Sequence, residues 1–248
     1  MVKLYKNFNI NKNHKGSIIL IGNFDGVHLG HQKLFKLAQS YKKKYSLRIG
    51  VINFDPMPKM FFNQSLKNFR LSSIDQKIDL LDNLGVDFIA TKKFDRTFSK
   101  TKSINFIKNI LYQKLNAKFI FVSNNFRFGN KREGDVNLLI KNEKKYKYKV
   151  VEPKPLSVKQ KVVSSTLIRN LLENGFLEKA NKLLGRNWSI VGIVQKGRQI
   201  GKKIGFPTCN ISIKDYVQEK HGVYAVKVLR KNKSKYIKGI ANLGYRPT

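Results

Sequence analysis

The chain has 248 residues, 41% of them hydrophobic, with 50 Lys and Arg against 15 Asp and Glu, a formal charge of +35. That length allows one large or two modest cores, and the apolar content excludes a disordered chain. A single cysteine, Cys209, excludes an intramolecular disulfide and a cysteine-cluster metal site; with no signal-peptide core and no apolar run of about 20 residues, the reading is a cytoplasmic protein with no membrane partner.

In chain order, strand-like apolar runs are expected near 18–21, 49–54, 88–91, 119–122 and 149–152, with helix-period segments between them at 32–45, 75–84, 104–115 and 136–146. Ser72 or Ser73 reads as the N-cap of the second helix and Gly85 as its stop. Two short helices, 166–174 and 177–184, each end at a glycine, Gly175 and Gly185. Such alternation predicts an α/β fold, a parallel sheet covered by helices on both faces. From Trp188 onward the pattern turns β-rich, with runs at 189–195, 209–213, 223–229 and 236–241, which places a domain boundary near 185–187.

The most informative stretch joins the first strand to the first helix: Gly22-Asn23-Phe24-Asp25-Gly26-Val27-His28-Leu29-Gly30-His31. Strand, glycine-rich turn and helix bring backbone N–H groups and a helix N-terminus up to a phosphate. One histidine at a helix start is usually a cap or a surface residue. Two of them three residues apart share a face, and beside Asp25 they point to chemistry in which charge builds on phosphorus oxygens without a covalent nucleophile. Gly22 and Gly26 would let backbone approach the ligand, and Gly30 would permit close packing. His28 and His31, protonated or as neutral donors, would stabilise an α-phosphate as pyrophosphate leaves.

Four further motifs carry paired readings. Ser164-Ser165-Thr166-Leu167-Ile168-Arg169 is a hydroxyl cap before a helix, for which Ser165 alone suffices, or a cluster of N–H groups, hydroxyls and guanidinium aimed at one anion. Asn125-Phe126-Arg127-Phe128-Gly129 follows a strand at the sheet edge where ligands bind, yet Phe126 and Phe128 read equally as core. The same holds for Asn53-Phe54-Asp55-Pro56-Met57-Pro58, whose prolines stiffen a loop before Phe61 and Phe62, rings able to stack on a flat ligand. Residues 201–210 form a basic loop before a strand, or a phosphate site whose Thr208 and Asn210 oxygens suit Mg²⁺.

These motifs, in this order, resemble the bacterial bifunctional riboflavin kinase/FAD synthetase family, from Ile18 to Thr248. Leu84-Gly85-Val86-Asp87, Gly222-Val223-Tyr224-Ala225-Val226 and residues 239–248 add to the likeness. The resemblance implies a Rossmann-like nucleotidyltransferase domain over 1–185 and an incomplete β-barrel flavokinase domain over 186–248. The first would transfer AMP from MgATP to FMN, giving FAD and pyrophosphate. His28 and His31 would stabilise the transition state; Ser165, Thr166 and Arg169 would hold the phosphates, with Gly22, Asn23, Phe24, Asp25, Gly26 and Gly30 also on the ATP side. Pro56, Pro58, Phe62, Asn125 and Phe128 would line the flavin side. The second domain would phosphorylate riboflavin to FMN, with Gly205, Thr208 and Asn210 at MgATP and the last two toward the Mg²⁺. Met57, Ser123, Lys202 and Cys209 depart from the family pattern. The family's catalytic glutamate lies beyond Thr248, so kinase activity is expected to be weak or absent.

Two other readings compete: a related nucleotidyltransferase of another small phosphate ester, which the flavokinase-like half argues against, and a basic nucleic-acid-binding protein. The charge is spread along the chain, with 13 Lys and Arg against 2 Asp and Glu from Asn187 onward and 37 against 13 before it. Lys dominates Arg, and Asn, Ile and Phe share its AT-rich codons, so genome composition accounts for the excess. Small molecules are the expected partners, with no specific nucleic acid; incidental affinity for polyanions follows from the field.

Overall fold

The computed structural model describes residues 1–66, 69–195, 205, 208–231 and 233–244; the basic loop 196–204, Phe206, Pro207 and residues 245–248, which carry some of the expectations above, lie outside the described residues. The chain runs β1 (Lys3–Lys6), β2 (Ile18–Ile21), α1 (Leu29–Tyr45), β3 (Ile49–Asp55), α2 (Pro58–Phe62), α3 (Ile74–Asn83), β4 (Phe88–Lys93) and α4 (Arg96–Ser99). Next come α5 (Ser103–Asn105), continuing as a π-helical segment (Phe106–Lys114), then β5 (Phe119–Phe121), β6 (Arg127–Phe128), β7 (Gly134–Asp135), α6 (Val136–Lys141), α7 (Glu143–Tyr146) and β8 (Lys149–Val151). A hairpin of β9 (Ser157–Val158) and β10 (Lys161–Val162) leads to α8 (Ser165–Glu173) and α9 (Leu177–Leu184).

Six strands form one parallel sheet in the order β1-β4-β3-β2-β5-β8. β2 is apolar at every position because both its faces are covered. Ile18 and Leu20 pack with Phe35 and Ala38 of α1 and Leu81 of α3, while Ile19 and Ile21 pack with Ile107 and Leu111 of the π-helical segment. Strands β3 and β5 flank β2, with Ile18 opposite both Ile49 and Phe119. The order of strands reverses there, so the turn leaving Ile21 opens on the crevice that such sheets use for ligands.

All five expected strands are present, and the observed α3 is capped by Ser73, whose hydroxyl accepts from Gln76 N–H while the Gln76 side chain returns to Ser73 N–H. Gly85, Gly175 and Gly185 take positive φ after their helices. Three expectations change. α1 begins at Leu29 rather than 32, because His28 caps it. The helix expected over 136–146 breaks at Asn142, whose amide donates to the Leu138 carbonyl and so competes with the backbone ladder. β1, flanked by lysines, was not foreseen as the edge strand beside β4.

The β-rich remainder forms two antiparallel pairs among the described residues: β11 (Val194–Gln195) with β12 (Asn210–Ile211), and β13 (Gly222–Val228) with β14 (Ile237–Leu243). Trp188 and Val217 pack with α8, α9 and Leu71 in a third core.

Candidate active site

The turn after β2 is held in an uncommon backbone state: Phe24 has φ 46° and Val27 φ 39°. Positive φ at a β-branched residue is strained and persists where its surroundings over-determine it. Gly26, at φ +75°, sits where a Cβ would come within 2.9 Å of the Leu71 side chain. The amides of both turn glycines are bonded within the protein: Gly22 N–H donates to the Ile52 carbonyl and Gly26 N–H to Ser72 Oγ.

His28 closes the turn as the N-cap of α1, its Nδ1 accepting the His31 N–H at 3.4 Å. With Nδ1 an acceptor, the neutral ring carries its proton on Nε2. Burial, then the nearby Arg169 and Arg186, lowers its pKa to about 4. His31 stacks on His28 at 3.6 Å between centroids and meets the edge of Phe24 at 5.2 Å. Burial first, and then His28 and Lys77, hold its pKa well below the usual value. Both rings are therefore held toward the neutral form in the unliganded chain. His31 Nδ1 is a buried atom without a hydrogen-bond partner among the described residues. Gly30 lets this happen, since a Cβ there would lie 3.1 Å from the His28 ring and 3.2 Å from the Val163 carbonyl.

Asp25 anchors the turn to the start of α8. Its carboxylate accepts from Leu71 N–H at 3.0 and 3.1 Å and from Ser72 N–H at 3.3 Å, and pairs with Arg169 Nη2 at 2.5 Å. Arg169 Nε donates to the Phe69 carbonyl at 2.7 Å, and its guanidinium lies 3.7 Å over the Phe69 ring. The cap of α8 is Ser164, not Ser165: Ser164 Oγ accepts the Leu167 N–H, while Ser165 Oγ donates to the Asp25 carbonyl at 2.9 Å. Thr166 is exposed at the same helix start.

Two cations had been given no site role: Arg186, which counts in the family likeness only as the residue following Asn181–Gly185, and Lys77, which no motif marks. Arg186 Nη2 donates to the Gly26 carbonyl at 2.7 Å, tying the turn to the end of α9. Lys77, on α3, is buried beneath the turn, its Nζ 2.7 Å from Asn53 Oδ1 and 3.3 Å from the Asn23 carbonyl. Lys77 occupies a polar position of an amphipathic helix, so only the fold reveals that it faces inward. Burial lowers its pKa from 10.5 to about 8. Between those values the unfolded chain binds a proton that the native chain does not, so stability rises with pH across that window. Relative to Lys77→Met, the parent should gain about 2 kcal/mol between pH 7.5 and 9.5, read from urea midpoints; a parallel pH dependence of the two would refute the buried charge.

The two loops assigned to the flavin side meet through rings. Phe62, 69% exposed on α2, packs edge-on against Phe94 at 5.7 Å, and the series continues through Phe98, Phe106 and Phe128 to Phe126. Phe128 is buried in the core, whereas Asn125 is exposed with its Oδ1 accepting from Ser123 Oγ at 2.8 Å. Pro56 follows a cis bond from Asp55, and Pro58 starts α2; the departure Met57 is buried between them as the α2 cap. Phe94, Phe98 and Phe106 belong to no motif: the first two lie in the polar stretch between the expected strand 88–91 and helix 104–115, and Phe106 lies in that helix. In the second half, Gly205 has φ +83° with open space around it, Thr208 is exposed and Asn210 opens β12; Lys202 lies outside the described residues.

Comparison with known proteins decides the family. The family model described as FAD synthetase matches residues 10–167, and the one described as riboflavin kinase matches 184–248. A bifunctional riboflavin kinase/FMN adenylyltransferase of Buchnera aphidicola (subsp. Schizaphis graminum) is 43% identical over 97% of this chain and 77% of its own length. The protein of the same name from Escherichia coli K12 is 38% identical over 94% of this chain and 74% of its own length. The chain belongs to this family. The crystal structure of a protein named macrolide-efflux protein from Streptococcus pneumoniae shares the fold, with TM-score 0.83 and 25% identity over 100% of this chain and 81% of that one. No helix among the described residues is long and apolar enough to cross a membrane. For a riboflavin kinase/FMN adenylyltransferase, the structure brings His28, His31, Asp25, Ser165 and Arg169 to one crevice; Phe62 and Phe128 belong to the ring series bordering β3 and β5.

Proposed function

We propose that residues 1–185 transfer AMP from MgATP to FMN, giving FAD and pyrophosphate. The observation that carries this reading is the stacked neutral histidine pair at the mouth of the β2 turn, tied through Asp25 and Arg169 to the N-terminus of α8. An oxygen of the FMN phosphate forms the new bond to the α-phosphorus, and the bond from that phosphorus to the bridging oxygen of pyrophosphate breaks. The nucleophile is already an anion, so no side chain need remove a proton. What the protein supplies is orientation and charge stabilisation. His28 Nε2–H donates to a non-bridging α-oxygen, His31 faces the same phosphate, and Ser165, Thr166 and Arg169 hold the departing phosphates. Pro56, Pro58, Phe62, Asn125 and Phe128 border the isoalloxazine.

Residues 186–248 belong, in this reading, to a flavokinase barrel that phosphorylates riboflavin, with β11 to β14 as part of it. Thr208 and Asn210 supply hard oxygen donors of the kind Mg²⁺ takes, next to the Gly205 turn. The exposed free thiol of Cys209 suits a reducing compartment, the cytoplasm.

The test is a product assay: the purified chain is given MgATP with FMN or with riboflavin, and the flavins are separated by chromatography. FAD from FMN is expected. MgATP binding without FAD formation would overturn the adenylyl-transfer reading, and FMN formed from riboflavin would establish the second activity.

A further inference from the structure

Residues 69–72 lie between the crevice and the C-terminal half. Their inner side makes the contacts already described: Leu71 and Ser72 amides on Asp25, Ser72 Oγ on Gly26 N–H, and the Phe69 carbonyl on Arg169. Their outer side is held by the flavokinase-like half. Arg70 N–H donates to the Asp215 carbonyl at 2.9 Å and Val217 N–H donates to the Arg70 carbonyl at 2.8 Å, a parallel bridge centred on Tyr216. Trp188 Nε1–H donates to the Leu71 carbonyl at 2.9 Å. The Tyr216 hydroxyl donates to Gln76 Oε1 at 2.7 Å, the same oxygen that caps α3 one residue before Lys77.

We propose that Trp188 and Tyr216, carried by the flavokinase half, are positioning residues for adenylyl transfer that act through this strap. The strap belongs to none of the helices or sheet strands, so its place depends on what it touches on either side. Asp25 and Arg169 both lean on it. If the outer contacts are lost, these two keep their mutual bond but drift together away from the histidine pair. Gln76 gives a second route, since loosening the α3 cap moves Lys77 and with it the Asn23 carbonyl. The proposal rests on the adenylyl-transfer reading of the crevice.

Tyr216→Phe keeps the ring and removes the hydroxyl, which also accepts the Val191 N–H, while Trp188→Phe keeps an aromatic ring but loses the indole N–H with part of the indole. One net hydrogen bond corresponds to about a 3- to 10-fold change in an equilibrium. Trp188→Phe should therefore raise KM and the calorimetric Kd for MgATP by about that factor, and the double variant by more, with kcat at saturating ATP changed less than about threefold. Tyr224→Phe on β13, which removes a hydroxyl donor to the Lys220 carbonyl away from the strap, should leave these constants unmoved. Because Trp188 is the chain's one tryptophan, its emission should also change saturably with MgATP, since coupling is reciprocal. Should the double variant fail to fold, Trp188→Phe and the parent's emission decide the matter. A folded Trp188→Phe with ATP constants like those of Tyr224→Phe, together with parental emission unmoved at ATP saturation, would overturn the proposal. A parent that binds MgATP but makes no FAD would instead sink the reaction assignment, leaving the strap to be judged from Kd.

Discussion

His28→Ala is expected to lower kcat for FAD formation by about 100- to 1,000-fold, the loss typical of removing one preorganised donor from developing charge. KM for MgATP should move far less, because the donor acts on charge that appears only in the transition state. The same substitution removes the cap of α1, since His28 Nδ1 accepts the His31 N–H, and an N-cap is worth about 1 kcal/mol. His28→Asn separates the two roles. Asparagine is among the best caps and restores the stability, but its short amide cannot reach where Nε2 stands. Stability regained with the rate still down supports the assignment; a His28→Asn enzyme running at the parental rate would show that the imidazole is only a cap.

The histidine also leaves a signature in stability against pH. Its native pKa, about 4, lies below the ordinary 6.5 because of burial and the cations Arg169 and Arg186. The unfolded chain takes up a proton through that interval and the native chain does not, so stability present above pH 6.5 is lost as pH falls toward 4. His31, lowered by burial, adds to the slope in the same direction. Denaturation midpoints at pH 7 and pH 5 should therefore lie closer together for His28→Asn than for the parent.

Much of the fold was legible because two-sided burial leaves a plain mark: a strand covered on both faces, such as Ile18–Ile21, is apolar throughout. β1 carries no such mark, since as an edge strand with two exposed lysines it looks like any polar N-terminus. The break at Asn142 depends on which carbonyl an amide chooses, and the cap of α8 on which of two adjacent serines turns inward. At the site, the histidine pair could be read locally, because three residues on a helix set their spacing. Asp25 and Arg169 stand 144 residues apart, and no local pattern says that they pair. Lys77 was hidden for the opposite reason: it sits at a polar position of α3, and a buried lysine violates the rule by which such positions are read as solvent-facing. Its compensation, Asn53 at the end of β3, comes from another element altogether.

Arg169→Ala should be the most damaging single change to the fold near the site. Arg169 and Asp25 are both buried, with side chains 9% and 5% exposed. Removing the guanidinium leaves the carboxylate with backbone N–H donors and without its bonded counter-ion, a loss of about 3–5 kcal/mol where a buried pair is broken from one side. Among the described residues two of the three guanidinium nitrogens are committed to the protein, Nε to Phe69 and Nη2 to Asp25, and the proposed phosphate contact falls to Nη1. The structural tie and the proposed phosphate contact therefore reside in one side chain and can be pulled apart. In Asp25→Asn/Arg169→Gln the uncompensated charge is gone, the asparagine still accepts the Leu71 N–H, and most of the lost stability should return. FAD formation should remain down by about 100-fold or more, because the guanidinium proposed to face the leaving pyrophosphate is gone. Recovery of both stability and rate in the double variant would reduce Arg169 to a structural tie, and full stability in Arg169→Ala would show that the pair does not anchor the turn.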